Sequence, residues 1–205
     1  MSDNTSATPE YQPLLEYWFG TLSEGFADLD HRQRWFNGGK AFDDALRERF
    51  GHLIDSATSG ALKPWLVSPR GTLAYVLVCD QLPRNVFRGD ARAFATDPLA
   101  LATARTTVET GADLQVALEE RAFLYMPFEH SERLTDQHTC VGLFMELRDA
   151  TPKGQRELTG GSLRYAQKHR DVIRRFGRFP HRNQILNRTT TAQEAAYLAD
   201  GGGFG

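Results

Sequence analysis

Apolar residues recur at three-to-four spacing along most of the chain, and Phe42, Ala45, Leu46, Phe50, Leu53 and Ile54 form one such stripe. That spacing predicts a helix over Ala41 to Ala57. Runs that alternate apolar and polar residues between turns are almost absent, so the chain reads as all-α. Thr8-Pro9 and Pro13 open a first helix that ends near Phe19-Gly20. Ser68-Pro69 sets an N-cap before a proline at the first helical position and leads into Leu73 to Cys79. Asp97-Pro98 repeats the device, and Gly111 stops that helix. Leu118 to Tyr125 and Leu134 to Leu147 predict two more helices, separated by Pro127. The Gly-rich, charged stretch Thr151 to Gly161 reads as a loop, and Leu163 to Phe176 as the next helix. Thr191 to Glu194 is a capping box that opens the last one.

Continuous apolar character over Leu73 to Cys79 and Val141 to Met145 marks helices buried on more than one face, hence central ones. About eight helices joined by short proline-containing corners suit an array of paired antiparallel helices better than a long four-helix bundle. No 34-residue tetratricopeptide repeat is present. A length of 205 residues with 40% hydrophobic residues allows one substantial core. A single domain is therefore expected over residues 11–200, with a flexible N-terminus at 1–10 and a frayed tail, Gly201 to Gly205.

A net charge of −2 gives no global pull toward nucleic acid or an anionic membrane. No apolar run approaches the roughly 20 residues of a spanning helix. The polar start Met1-Ser2-Asp3-Asn4-Thr5-Ser6 lacks signal-peptide character, so a cytoplasmic location is expected. Cys79 and Cys140 lie far apart in apolar stretches and read as reduced, buried thiols.

Candidate chemistry gathers at prolines. Asp80-Gln81-Leu82-Pro83-Arg84-Asn85 follows the most apolar helix, and Phe179-Pro180-His181-Arg182-Asn183 repeats its arginine-asparagine ending. Pro83 disfavours helical geometry at Leu82 and predicts a corner there. If a new turn starts at Pro83, Arg84 and Arg88 share a face at i,i+4 and call for an anion, for Asp80, or for open water. Two readings stand: an Asp80–Arg84 ion pair bracing the corner with Asn85 capping a helix end, or a ligand site. Arg174 and Arg175 fit a solvated helix face, whereas Arg182 and His181 sit beside a proline on a rigid support. A third cluster, Met126-Pro127-Phe128-Glu129-His130-Ser131-Glu132, puts a carboxylate, an imidazole and a hydroxyl in sequence. Adjacent residues do not face one another on a helix, so Glu129-His130-Ser131 is not by itself a triad. His130 has the acid and base chemistry suited to neutral pH, against the plainer reading of a buried histidine bonded to a carbonyl.

His169-Arg170-Asp171 lacks the asparagine that a protein-kinase catalytic loop needs, Phe176 standing in its place. Zinc-protease, P-loop, α/β-hydrolase and dinucleotide fingerprints are all missing. Neither a cofactor nor a metal is expected. His130, Glu129, His169, His181 and Asp80 could assemble a metal site only through the fold, since their spacing is no ligand pattern. The residues taken together suggest one polar pocket at Pro83, Pro127 and Pro180. There Arg84, Arg182 and His181 hold an anion, Asn85 and Asn183 orient it, and Arg88, Asp80 and Gln81 complete the ligand-binding set. His130 or Glu129 is then available for proton transfer. Binding of a small phosphate- or carboxylate-bearing molecule or a peptide competes with an enzyme acting on such a metabolite, and with a scaffold for a protein partner. Oligomeric state is written in no pattern.

Several of these stretches, together with Arg34-Trp35-Phe36, Phe42-Asp43, Arg49-Phe50-Gly51, Arg92-Ala93-Phe94 with Asp97, and Arg121-Ala122-Phe123-Leu124-Tyr125-Met126-Pro127, carry a family likeness. From about Tyr17 to Phe204 the chain resembles the bacterial family named domain of unknown function 924. Leu82 stands where that family usually has phenylalanine, and Asn187 where it usually has glycine before Arg188. Asparagine tolerates a left-handed turn better than most residues. The resemblance implies an all-α fold related to tetratricopeptide-like superhelices, and no known activity.

Overall fold

The computed structural model describes residues 8–204. Within them every extended element is helical, with one isolated bridge between Ser23 and Phe26. The expectation of a flexible N-terminus falls largely on residues 1–7, outside the described residues.

Local chemistry accounts for most helix starts. Helix α1 (Gln12–Phe19) has a proline in its first turn, and α2 (Leu29–Asn37) is capped by Asp28, which accepts from the His31 amide at 2.9 Å. Helix α2 is not evident from apolar spacing because Trp35 is its one buried residue. The stripe predicted over Ala41 to Ala57 divides at Gly51 into α3 (Gly39–Phe50) and α4 (His52–Thr58). Ser68 caps α5 (Pro69–Val76), its hydroxyl accepting from the Gly71 amide at 3.1 Å. Thr191 and Glu194 form the expected reciprocal cap of α11 (Ala192–Ala199).

The expected corner at Pro83 is absent. Leu82 is helical, and α5 runs through a single wide π turn, Leu77–Gln81, into α6 (Leu82–Val86). Proline lacks an N–H and crowds the carbonyl four residues back, which here belongs to Cys79. That carbonyl accepts from the Thr96 hydroxyl at 2.6 Å. The next two, of Asp80 and Gln81, accept from Arg84 Nη1 at 2.7 Å and Asn85 Nδ2 at 2.9 Å.

Helix α7 (Asp97–Glu109) precedes a left-handed Gly111, as expected. Pro127 lies inside α8 (Leu118–His130) instead of ending it. The α8 carbonyls of Phe128 and Glu129, and that of Ser131 just beyond, accept from one buried amide, Gln137 Nε2, at 3.3, 2.7 and 2.7 Å. Gln137 belongs to α9 (Leu134–Ala150), so the reversal at Ser131 to Arg133 is held from the following helix. Most of the loop predicted over Thr151 to Gly161 is helical, because α10 (Arg156–Phe176) begins earlier than its apolar stripe. Helices α8, α9 and α10 pack consecutively against one another.

The main core joins α1, α3, α5, α8 and α9 around Trp18, Phe19, Phe123 and Phe144. Cys79 and Cys140 are free and buried within it. A second cluster, Val172, Ile173 and Phe179 with Phe176, Tyr197 and Phe204, lies where α10, α11 and the Pro180 turn meet. Residues 201–204, expected to fray, pack into this cluster through Phe204. Among the described residues no helix is long and apolar enough to cross a membrane.

Candidate functional site

Side chains from all three proline-containing stretches reach one buried carboxylate neighbourhood. Asp80, in the π turn, is fully buried. One oxygen lies 2.7 Å from His130 Nδ1 and 3.3 Å from Arg84 Nη1, and the other accepts from Gln81 Nε2 at 2.6 Å. Arg84 also grips Asp97, at the start of α7, with both Nη atoms at 2.8 and 3.1 Å. Asp97 in turn faces the third stretch, Arg182 Nη1 standing 3.9 Å from its Oδ2.

Arg182 is the unusual member. It is 6% exposed, and its guanidinium lies over the rings of Phe94 and Phe179, 4.7 and 4.5 Å from their centroids. Among the described residues its side chain donates no hydrogen bond, and its buried Nε has no partner. Burial, reinforced by the charge of Arg84, lowers its pKa to about 10. Beside it, buried His181 Nδ1 is also unpartnered.

The turn carrying Arg182 is pinned by Glu132, which accepts from the Phe179 amide at 2.7 Å and from both Nη atoms of Arg188 at 2.7 and 3.1 Å. Arg188 reaches back to the Phe179 carbonyl at 2.9 Å. It can do so because Asn187 adopts a left-handed conformation, φ 52°, the geometry its place before Arg188 implied.

Burial and charge set the protonation states. Although burial opposes it, the charge of Arg84, with the hydrogen bonds from His130 and Gln81, holds the Asp80 carboxyl well below the usual carboxylate range. Burial, and then the charge of Arg84, lower the His130 pKa. A neutral His130 that donates from Nδ1 to Asp80 keeps Nε2 as its acceptor or base. Glu129 points to a second buried layer, 3.5 Å from His169 Nδ1, where burial and the charge of Asp80 raise its pKa to about 8. His169 Nδ1 donates to the Tyr165 carbonyl at 2.9 Å, and burial lowers its pKa to about 3. Burial likewise lowers His181 to about 4.

Not every candidate residue joins this cluster. Arg88 turns away to Asp43, at 2.7 and 3.1 Å, and its Nη2 also donates to the Asn85 side-chain oxygen at 3.2 Å. These two line a separate depression of about 420 Å³ between α3 and α6, so Arg84 and Arg88 do not share an anion. Asn85 serves the Gln81 carbonyl, and Asn183 Nδ2 faces Thr190 and Glu194, both at 3.3 Å. Among the described residues no three His, Cys, Asp or Glu side chains are arranged to hold a metal ion, so the set His130, Glu129, His169, His181 and Asp80 does not form one. Asp97, Phe94 and Phe179 were not evident as members of the site. Asp97-Pro98 looks like a helix start alone, and no sequence pattern announces an aromatic wall around an arginine.

The bacterial family described as protein of unknown function, DUF924, matches residues 14–202. A solved structure of a protein of unknown function from Agrobacterium tumefaciens is 39% identical, with a TM-score of 0.73, over 82% of this chain and 89% of that one. No curated protein matches.

Proposed function

This chain belongs to the bacterial protein family DUF924, and we propose that its Arg182 region binds a small anion, a phosphate- or carboxylate-bearing molecule. The supporting observation is a buried guanidinium with unused donors beside an unpartnered imidazole. Burying a guanidinium that makes no hydrogen bond and has one carboxylate only at 3.9 Å is costly, and arginine's planar fork matches phosphate and carboxylate oxygens. In this reading Arg182 and His181 contact the anion, Arg84 lends charge from behind Asp97, and a peptide's carboxylate would meet the same groups. The reading extends to a cytoplasmic protein whose paired antiparallel helices follow a tetratricopeptide-like superhelix.

Calorimetric titration with inorganic phosphate at constant ionic strength tests it. Binding is expected in the native protein and lost in Arg182→Met. Equal binding by both proteins would refute it.

A second reading rests on the Asp80 oxygen 2.7 Å from His130 Nδ1. A carboxylate that orients an imidazole prepares its other nitrogen for general acid–base work, and the reaction would act on a phosphorylated or carboxylated metabolite. Turnover lost in His130→Gln with phosphate affinity retained would support this enzyme. Turnover that survives the substitution would exclude His130 as the acid or base.

A further inference from the structure

The segment after α11 fills a slot walled by other parts of the chain. The Phe204 ring stacks on His169 with centroids 3.5 Å apart and planes at 14°. It meets Phe179 edge-on at 6.1 Å and 90°, and His181 at 5.8 Å and 83°. Three rings therefore wall a space the width of one more ring. Phe179 also carries the Arg182 guanidinium on its face, at 4.5 Å, so the slot and the fork with unused donors share a wall.

The segment that delivers Phe204 depends on glycine. A Cβ on Gly202 would stand 2.4 Å from the Tyr197 carbonyl oxygen and 2.5 Å from its ring. Gly203 has φ +132°, and a Cβ there would stand 3.2 Å from that of His181. Only a chain without side chains at these positions lies down over His181 in this way. The contact is a stack on an imidazole that is neutral near pH 7, in keeping with its depressed pKa, and such ring pairs contribute modestly beyond area burial. A contact of that size is displaceable.

We propose that the slot filled by Phe204 is the ring-binding half of the anion site, and that the ligand is a flat aromatic ring bearing a carboxylate or phosphate on a short arm. The ligand's ring takes the place of Phe204 against His169, Phe179 and His181, and its anion reaches Arg182. The segment Gly201 to Phe204 acts as an internal occupant that the ligand displaces. This inference rests on the anion-binding reading above.

Titrations with inorganic phosphate, phenyl phosphate and phenylacetate separate the two. If the slot is occupied about nine-tenths of the time, emptying it strengthens ring-bearing ligands about tenfold, the reciprocal of the competent fraction. Phe204→Ala is expected to bind phenyl phosphate and phenylacetate about tenfold tighter than the native protein, with inorganic phosphate changed less than about twofold. Gly202→Ala, which drives the segment off Tyr197 and leaves every slot wall in place, is expected to do the same, and decides the matter should Phe204→Ala misfold. Phosphate binding with no gain from the phenyl group in either variant overturns the slot and leaves the anion site standing. Failure of inorganic phosphate to bind any of these proteins overturns the anion site itself.

Discussion

Arg84 and Arg182 stand beside the same carboxylate, Asp97, in different states of satisfaction. Arg84 spends its donors on the Asp97 and Asp80 carboxylates and on the Asp80 carbonyl. Arg182 has two aromatic faces and a carboxylate at 3.9 Å. The first arginine closes a structural network; the second is left open by it. A repeated arginine-asparagine phrase therefore has two uses, told apart by whether acceptors surround the guanidinium.

That contrast predicts an order of effects. Arg84→Ala strands Asp80 and Asp97 without their shared cation, and loss of about 3–5 kcal/mol in denaturant unfolding is expected, as when a buried pair is broken. Glu132→Ala removes charge-assisted bonds that pin the Arg182 turn. Because Glu132 and Arg188 are partly exposed, a smaller loss of about 1–3 kcal/mol is expected. Should Glu132→Ala cost as much as Arg84→Ala, the third stretch would be as structural as the first.

The pH dependence sharpens the comparison. His169, His181 and His130 have lowered pKa values in the fold, while an unfolded imidazole takes its proton near pH ~6.5. Acidification below that point favours the unfolded chain, so stability falls as pH drops from ~6.5, and the His181 share of the loss is complete near pH 4, its folded pKa being about 4. Glu129 has the opposite sign. Its folded pKa of about 8 lies above the ordinary glutamate value of ~4.3. Its contribution is complete below that value and is lost as pH rises toward 8. Glu129→Gln should therefore gain on the native protein between pH 6 and pH 9 in paired unfolding curves. A constant difference across that range would mean that Glu129 is ionised throughout.

The smallest effect on stability belongs to the residue most important to the proposal. Arg182→Met replaces a buried cation that makes no side-chain hydrogen bond with an apolar side chain between Phe94 and Phe179, and its stability is expected to stay within about 1 kcal/mol of the native protein or to rise. A loss comparable to that of Arg84→Ala would show that Arg182 is internally satisfied after all.

Much of the fold was legible. The caps at Ser68 and Thr191 and the stops at Gly20 and Gly111 follow from chemistry local to a few residues. Pro83 and Pro127 misled, because the carbonyl released by a proline was met from distant stretches, by Thr96 at Cys79, and the end of α8 by Gln137. Such partners have no local signature. Of the candidate site, the gathering of Asp80, Arg84, His130, His181 and Arg182 could be guessed from their repeated setting. The diversion of Asn85 to a carbonyl and of Arg88 to Asp43 could not, since both depend on where α3 and the π turn lie.

The most direct measurement follows the arginine Nε–H signals by NMR as inorganic phosphate is added at constant ionic strength. The Arg182 Nε–H, without a partner in the free protein, is expected to shift saturably while that of Arg84 stays fixed. Equal shifts at both arginines, or no shift at Arg182 at any concentration, would contradict the division of labour between them.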